Sequence, residues 1–133
     1  MVQPKSSAFK FDEILFGHDD MTVRLTHYTE DGTLWIGSSI GLDLYDMNTN
    51  EVIHYHSAAG DSLKIRDGEI RSLEIDEKGY VLVAGYRGLF RFEPDRRSFD
   101  VLLEGSFSES RVFIDHDGEV WLAAERSLFH YNH

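Results

Sequence analysis

Apolar residues along the chain come in runs and alternations of about five to seven positions, each closed by Gly, Asp or Asn. Short runs bounded by turn residues are the pattern of β-strands, and no stretch keeps the spacing of an amphipathic helix. The strands fall at about 22–28, 33–38, 42–46 and 51–56, then 69–75, 80–85, 89–93 and 98–103, then 110–114, 119–124 and 127–131. One further strand, Phe9–Leu15, precedes the first group and resembles the fourth strands Val52-Ile53-His54-Tyr55 and Phe99-Asp100-Val101-Leu102.

The three groups are copies of one unit. Val23-Arg24-Leu25, Asp31-Gly32-Thr33-Leu34-Trp35-Ile36-Gly37 and Gly41-Leu42-Asp43-Leu44-Tyr45 recur as Ile70-Arg71-Ser72-Leu73, Lys78-Gly79-Tyr80-Val81-Leu82-Val83-Ala84 and Gly88-Leu89-Phe90-Arg91-Phe92. They recur again as Ile114-Asp115-His116-Asp117-Gly118-Glu119-Val120-Trp121-Leu122-Ala123 and Ser127-Leu128-Phe129-His130-Tyr131. Gly32 and Gly79 are 47 residues apart, as are Gly41 and Gly88, and Gly118 follows Gly79 by 39. Four short antiparallel strands repeated at this period predict β-propeller blades. The 133 residues then make a single partial propeller domain, all-β, with three four-stranded units at about 22–56, 69–103 and 110–131 plus the strand at 9–15. Gly32, Gly79 and Gly118 are expected to supply the positive φ of the first turn in each unit. Trp35, Leu82 and Trp121, with Tyr45, Phe92 and Tyr131, should pack between blades. Gly37, Ala84 and Ala123 should let neighbouring sheets approach.

The residues Glu30-Asp31-Gly32-Thr33-Leu34-Trp35-Ile36-Gly37-Ser38 followed by Gly41-Leu42-Asp43-Leu44-Tyr45-Asp46 resemble the two-component regulator propeller repeat. The second unit departs from that pattern at Leu82, where Trp is usual, and the third at Ser127, where Gly is usual. The resemblance implies the periplasmic or extracellular sensor region of a hybrid histidine kinase, with oligosaccharide-type ligands and a signalling partner or downstream kinase domain. The chain itself shows no kinase, receiver or signal-peptide segment, so a detached portion of a sensor, or a stand-alone relative, is the expectation. A structural protein–protein interaction propeller and a propeller lyase or hydrolase are the alternatives.

Known propellers use about four to eight blades, so three cannot close a ring. The third unit lacks a fourth strand, and Phe9–Leu15 could supply one. Within one chain that closure would be too tight. Between two chains, each N-terminal strand could finish the other's last blade, and the expectation is a six-bladed, two-fold symmetric homodimer. Irregular association or open stacking is the alternative.

Composition narrows the partners. There are 24 Asp and Glu against 13 Lys and Arg, a formal net charge of −11. Such a chain repels a phosphate backbone, so nucleic acid is not an expected partner. No apolar stretch is long enough to span a membrane as a helix. Without cysteine there is neither a disulfide nor a thiolate metal site. No cofactor is expected. The acidic turns lack the D-x-D-x-D-G spacing of a Ca²⁺ loop, and His54 and His56 lack a third zinc ligand. No pair of carboxylates stands out for glycoside hydrolysis and no Gly-x-Ser-x-Gly elbow is present, so no catalytic residue is assigned.

Up-and-down strand order puts the loops after second and fourth strands on one face. Tyr86, Arg87 and Arg126 lie on the former loops, and His18 and Arg66 on the latter. These five are the candidate ligand-binding residues at the mouth of the central channel, because aromatic and Arg side chains on loops suit sugars and carboxylates. The competing reading is that they are solvated loop residues balancing nearby acids.

Overall fold

The computed structural model describes residues 13–14, 22–39, 41–55, 70–95 and 98–132. Eleven strands form three antiparallel meanders, with no helix among the described residues. The first sheet is β1 (Val23–Tyr28), β2 (Thr33–Ser38), β3 (Leu42–Asp46) and β4 (Glu51–His54). The second is β5 (Ile70–Ile75), β6 (Val81–Gly85), β7 (Gly88–Glu93) and β8 (Ser98–Glu104). The third holds β9 (Ser110–Ile114), β10 (Val120–Ala124) and β11 (Ser127–His130). Each boundary lies within two residues of its sequence expectation. The strand expected at 9–15 lies outside the described residues except for Glu13 and Ile14, which are exposed and outside any strand.

The turns after the first strands share one backbone hydrogen bond and one glycine. The amides of Gly32, Gly79 and Gly118 donate to the carbonyls of Thr29, Asp76 and Asp115, at 3.2, 3.0 and 3.0 Å. Their φ angles are 90°, 87° and 82°, a region that side chains with a Cβ avoid. Asp76 Oδ1 accepts the amides of Lys78 and Tyr80, and Asp115 Oδ1 those of Asp117 and Glu119, all at 2.9 Å. In the first unit Thr29 takes this place, and its hydroxyl and that of Thr33 donate to Asp31. The acidic turns of the second and third units therefore spend these carboxylates on backbone amides, as Asx-type turns do.

The sheets stack face to face through β6, whose five residues are all buried. Val81 and Val83 point toward the first sheet and meet Trp35, Leu42, Ile70, Leu73, Phe90 and Phe92. Leu82 and Ala84 point the other way and meet Leu89, Val112, Val120, Leu122 and Ala124. Period-two alternation with both faces covered explains why this strand reads as an unbroken apolar run. Trp35, Tyr55, Phe92 and Phe99 form an aromatic ladder between the first two sheets, with ring centroids 4.5–5.9 Å apart. A Cβ on Gly37 would come 2.9 Å from Ile70 Cγ2, so that position does set how closely these sheets approach. Ala84, fully buried in the next sheet, stands at the same position against the third. Ala123 is exposed, a departure from the sequence expectation, because no described sheet follows the third.

The first strands converge. β5 packs against both β1 and β9, which places the first strand of each sheet innermost. Ser72 Oγ accepts from the Val112 amide at 3.0 Å and Ser110 Oγ donates to the Gly85 carbonyl at 3.3 Å, tying the inner edges of the second and third sheets.

Candidate functional site

Three segments meet at one end of the second and third sheets. The β6–β7 turn carries Tyr86 and Arg87, the β10–β11 turn carries Glu125 and Arg126, and residues 105–109 run between β8 and β9. The connecting loop is pinned to both turns. Its Gly105 and Phe107 amides donate to the Arg87 and Tyr86 carbonyls at 3.1 and 2.9 Å. Its Ser108 amide and hydroxyl donate to Glu125 Oε1 at 2.7 and 3.0 Å. Those two bonds, the amide first, hold the Glu125 carboxyl below the usual carboxylate range. Phe107 anchors the loop from beneath, its ring 5.9 Å from Phe129. The loops after second and fourth strands thus share a face, as the strand order predicts.

Gly88 closes the β6–β7 turn at a φ of 132°, and a Cβ there would stand 1.9 Å from the Leu103 carbonyl oxygen. Only glycine fits beside β8 at this point. Ser127 holds the same place in the third sheet, where no outer strand is present among the described residues. Among the described residues no strand pairs with the outer edge of β11, so Ser127 meets no counterpart of Leu103.

The five expected ligand residues divide as follows. His18 and Arg66 lie outside the described residues. Tyr86 is 40% exposed, and the Arg87 guanidinium lies 5.5 Å from its ring centroid, a cation–π pair on the rim. Arg126 lines a depression of about 350 Å³ with Ser106, Phe107, Ser108, Glu109 and Glu125. Glu109 and Glu125 also line a second depression of about 480 Å³. Arg71, Ser110, Arg111 and Ala123 complete that second one. Arg71 and Arg111 are not loop residues, so strand order alone does not single them out. A sequence signal existed nonetheless: Arg24, Arg71 and Arg111 each stand directly after the first residue of an innermost strand.

The histidines do not gather. His54 Nδ1 lies 2.8 Å from the buried Asp43 Oδ1 across β3 and β4. His130 Nε2 lies 3.1 Å from Glu119 Oε1, and its ring stacks on Trp121 at 4.4 Å. Among the described residues no group of three His, Asp or Glu side chains is placed to hold a metal ion.

No family model and no curated protein matches the sequence. Solved structures do match. The extracellular domain of BT3049 from B. thetaiotaomicron, named as a hybrid two component system, superposes with a TM-score of 0.65 at 18% identity. The WD40 β-propeller domain of Doa1 gives 0.68 at 18% identity over 86% of this chain, and the extracellular domain of BT4673 from B. thetaiotaomicron 0.67 at 17% over 91%. The fold is that of β-propeller blades. These blades span 19% of the BT3049 chain, although 96% of this chain is covered, and 37% and 16% of the other two.

Proposed function

We propose that these blades form a non-catalytic recognition module of a propeller sensor, with the face carrying Tyr86, Arg87 and Arg126 as its ligand surface and an oligosaccharide-type compound as its ligand. The observation that carries this reading is the pinned loop 105–109, which holds the rim residues of two blades in one rigid arrangement around two polar depressions. A preordered polar surface with an exposed aromatic ring suits sugar hydroxyls and faces. The likeness to extracellular domains of B. thetaiotaomicron systems supports an extracellular or periplasmic place and a signalling partner. Among the described residues no helix is long and apolar enough to cross a membrane. A thermal-shift screen of the chain against a broad oligosaccharide panel tests the reading. The expected result is stabilisation by a subset, lost in Tyr86→Ala and Arg126→Ala. No response across the panel would favour an interaction scaffold, and turnover of a panel member would favour an enzyme.

A second copy of the chain is the proposed neighbour of the third blade. That blade leaves Trp121 half-buried and Leu128 exposed, where the first two blades bury the matching Trp35 and Leu82, and Leu42 and Leu89. Phe113 stacks on Trp121 and extends the apolar surface, and such patches mark interfaces. Exchange of the segment 9–15 between two copies would complete both third blades and close six blades into a ring.

A further inference from the structure

No strand among the described residues pairs with the outer edge of β11. The Tyr131 amide donates to the Val120 carbonyl at 2.9 Å, and backbone groups alternate along a strand, so those of Leu128 and His130 point away from β10. Beside this edge lies an apolar groove of about 270 Å³, between Leu102 and Leu103 of β8 and Val120, Leu122, Phe129 and Tyr131 of the third blade.

The interface between the first two blades shows what fills such a groove. Phe92, at the position of Tyr131, lies between Tyr55 and Phe99, with ring centroids 4.6 and 4.5 Å away. Tyr55 follows the fourth strand of the preceding blade, and its counterpart in the next interface is Leu102. Phe99 comes from the fourth strand of the same blade, where it pairs with Phe92. The third blade has no counterpart of Phe99 among the described residues, and the groove is the space such a ring would take.

A stretch near the N-terminus repeats β8. Lys10-Phe11-Asp12-Glu13-Ile14-Leu15-Phe16-Gly17 matches Ser98-Phe99-Asp100-Val101-Leu102-Leu103-Glu104-Gly105 at Phe, Asp, Leu and Gly, with Ile for the first Leu. Both complete blades pair their fourth strands in one register: Tyr45↔Val52, Leu44↔Ile53 and Asp43↔His54, and likewise Phe92↔Phe99, Arg91↔Asp100 and Phe90↔Val101. Carried to the third blade, this register sets Phe11 opposite Tyr131, Asp12 opposite His130 and Glu13 opposite Phe129. Asp100 meets Arg91 at 3.1 Å across the same step. His130 has Nε2 on Glu119 at 3.1 Å, and Nδ1 remains for the Asp12 carboxylate. In the first blade the Leu42 carbonyl accepts the Tyr55 amide at 2.8 Å, and Ile14 takes that place beside Leu128. Ile14 and Leu128 are 40% and 61% exposed in the single chain and would cover each other. Glu13 and Ile14 lie outside any strand there, so the chain does not complete its own third blade.

We propose that residues 11–14 of a second copy add to the edge of β11 in this register, with Phe11 filling the groove against Tyr131, Asp12 paired with His130 and Ile14 over Leu128. Main-chain bonds along the edge supply affinity, and the groove and the charge pair select the segment. The assignment rests on the reading that a second copy completes the third blade, and it fixes which residues meet.

Disulfide trapping tests it, since the chain has no cysteine of its own. Asp12→Cys chains are mixed with Leu128→Cys, His130→Cys or Asn132→Cys chains under mild oxidation. Only directly opposed positions, with Cα atoms about 5.5 Å apart, should cross-link efficiently. The expected partner is His130→Cys. Sedimentation of the full chain then reads the contributions. Phe11→Ala should weaken the dimer by about tenfold or more, because each dimer loses two ring contacts. Asp12→Arg and His130→Asp should each weaken it by about tenfold, and the two together should recover most of that loss. Circular dichroism checks that each variant keeps its blades. Trapping by Leu128→Cys or Asn132→Cys in place of His130→Cys overturns the register and leaves the second-copy reading standing. So does a dimer indifferent to Phe11→Ala and to Asp12→Arg. An intact chain that stays monomeric overturns both.

Discussion

Leu42 and Leu128 occupy the same position of the repeat, paired across the sheet with Gly37 and Ala123, yet Leu42 is 0% exposed and Leu128 61%. Leu89, at that position in the middle blade, is 3% exposed. The residue type is constant, so the difference lies in whether a further sheet follows. Leu42→Ala should lower stability by about 2–5 kcal/mol, the cost of a buried leucine. That cost should not depend on protein concentration. Leu128→Ala should stay within about 0.5 kcal/mol in dilute protein and cost more as concentration rises and a second copy covers it. Urea midpoints at two concentrations read both effects. A Leu128→Ala cost that does not change with concentration would count against the second copy.

Assembly itself is checked by sedimentation. The intact chain should sediment as a dimer, and removal of residues 1–16 should leave a monomer of three blades. A well-dispersed monomer from the intact chain would sink the exchange of N-terminal strands.

The 1.9 Å approach of a Cβ at position 88 to the Leu103 carbonyl makes the turn glycine obligatory in the middle blade. Gly88→Ala should destabilise by roughly 1–3 kcal/mol from backbone strain, with a further loss if β8 is displaced. Ser127→Gly, the reverse change at the equivalent position of the third blade, should cost no more than about 1 kcal/mol. Thermal unfolding of the two variants compares them directly, and a Gly88→Ala loss no larger than that of Ser127→Gly would count against an obligatory glycine at position 88.

Asp115 links stability to acid. Its carboxyl is held below the ordinary aspartate value first by the Trp121 Nε1–H, at 2.9 Å, and then by the Glu119 amide. A depressed carboxyl stabilises the fold above the unfolded pKa of about 3.9, and that contribution is lost as pH falls through the lower folded value. Asp115→Ala should therefore lower the melting temperature at pH 6, and the difference from the parent protein should shrink as pH falls through the folded value. A constant difference across that range would show that the carboxylate charge is not what Asp115 contributes.

Much of the candidate face was legible beforehand. Tyr86, Arg87 and Arg126 stand out because exposed loop residues follow from strand order, and strand order follows from turns that Gly32, Gly79 and Gly118 mark locally. Arg71 and Arg111 do not stand out as site residues because each sits inside a strand, where an arginine reads as a solvated position. Only the folded chain brings Arg71 and Arg111, from different blades, to the lining of one depression. The role of Glu125 was equally invisible, since its partner Ser108 lies 17 residues away on another loop.

The sequence by itself determined the strands, their turns and the repeat, because these rest on residues a few positions apart: a positive-φ glycine, an Asp accepting nearby amides, an alternation of apolar side chains. It also determined that Trp35 and Leu82 would be covered by a following blade, since the repeat places one after each. Tertiary structure alone decided that β6 is buried on both faces, that Gly88 has no room for a Cβ while Ser127 does, and that arginines from separate blades share one depression. Each of these depends on what another strand or blade brings within a few ångströms. That is set by the stacking of sheets whose contacting residues lie some 40 positions apart, as Ser72 and Val112 do.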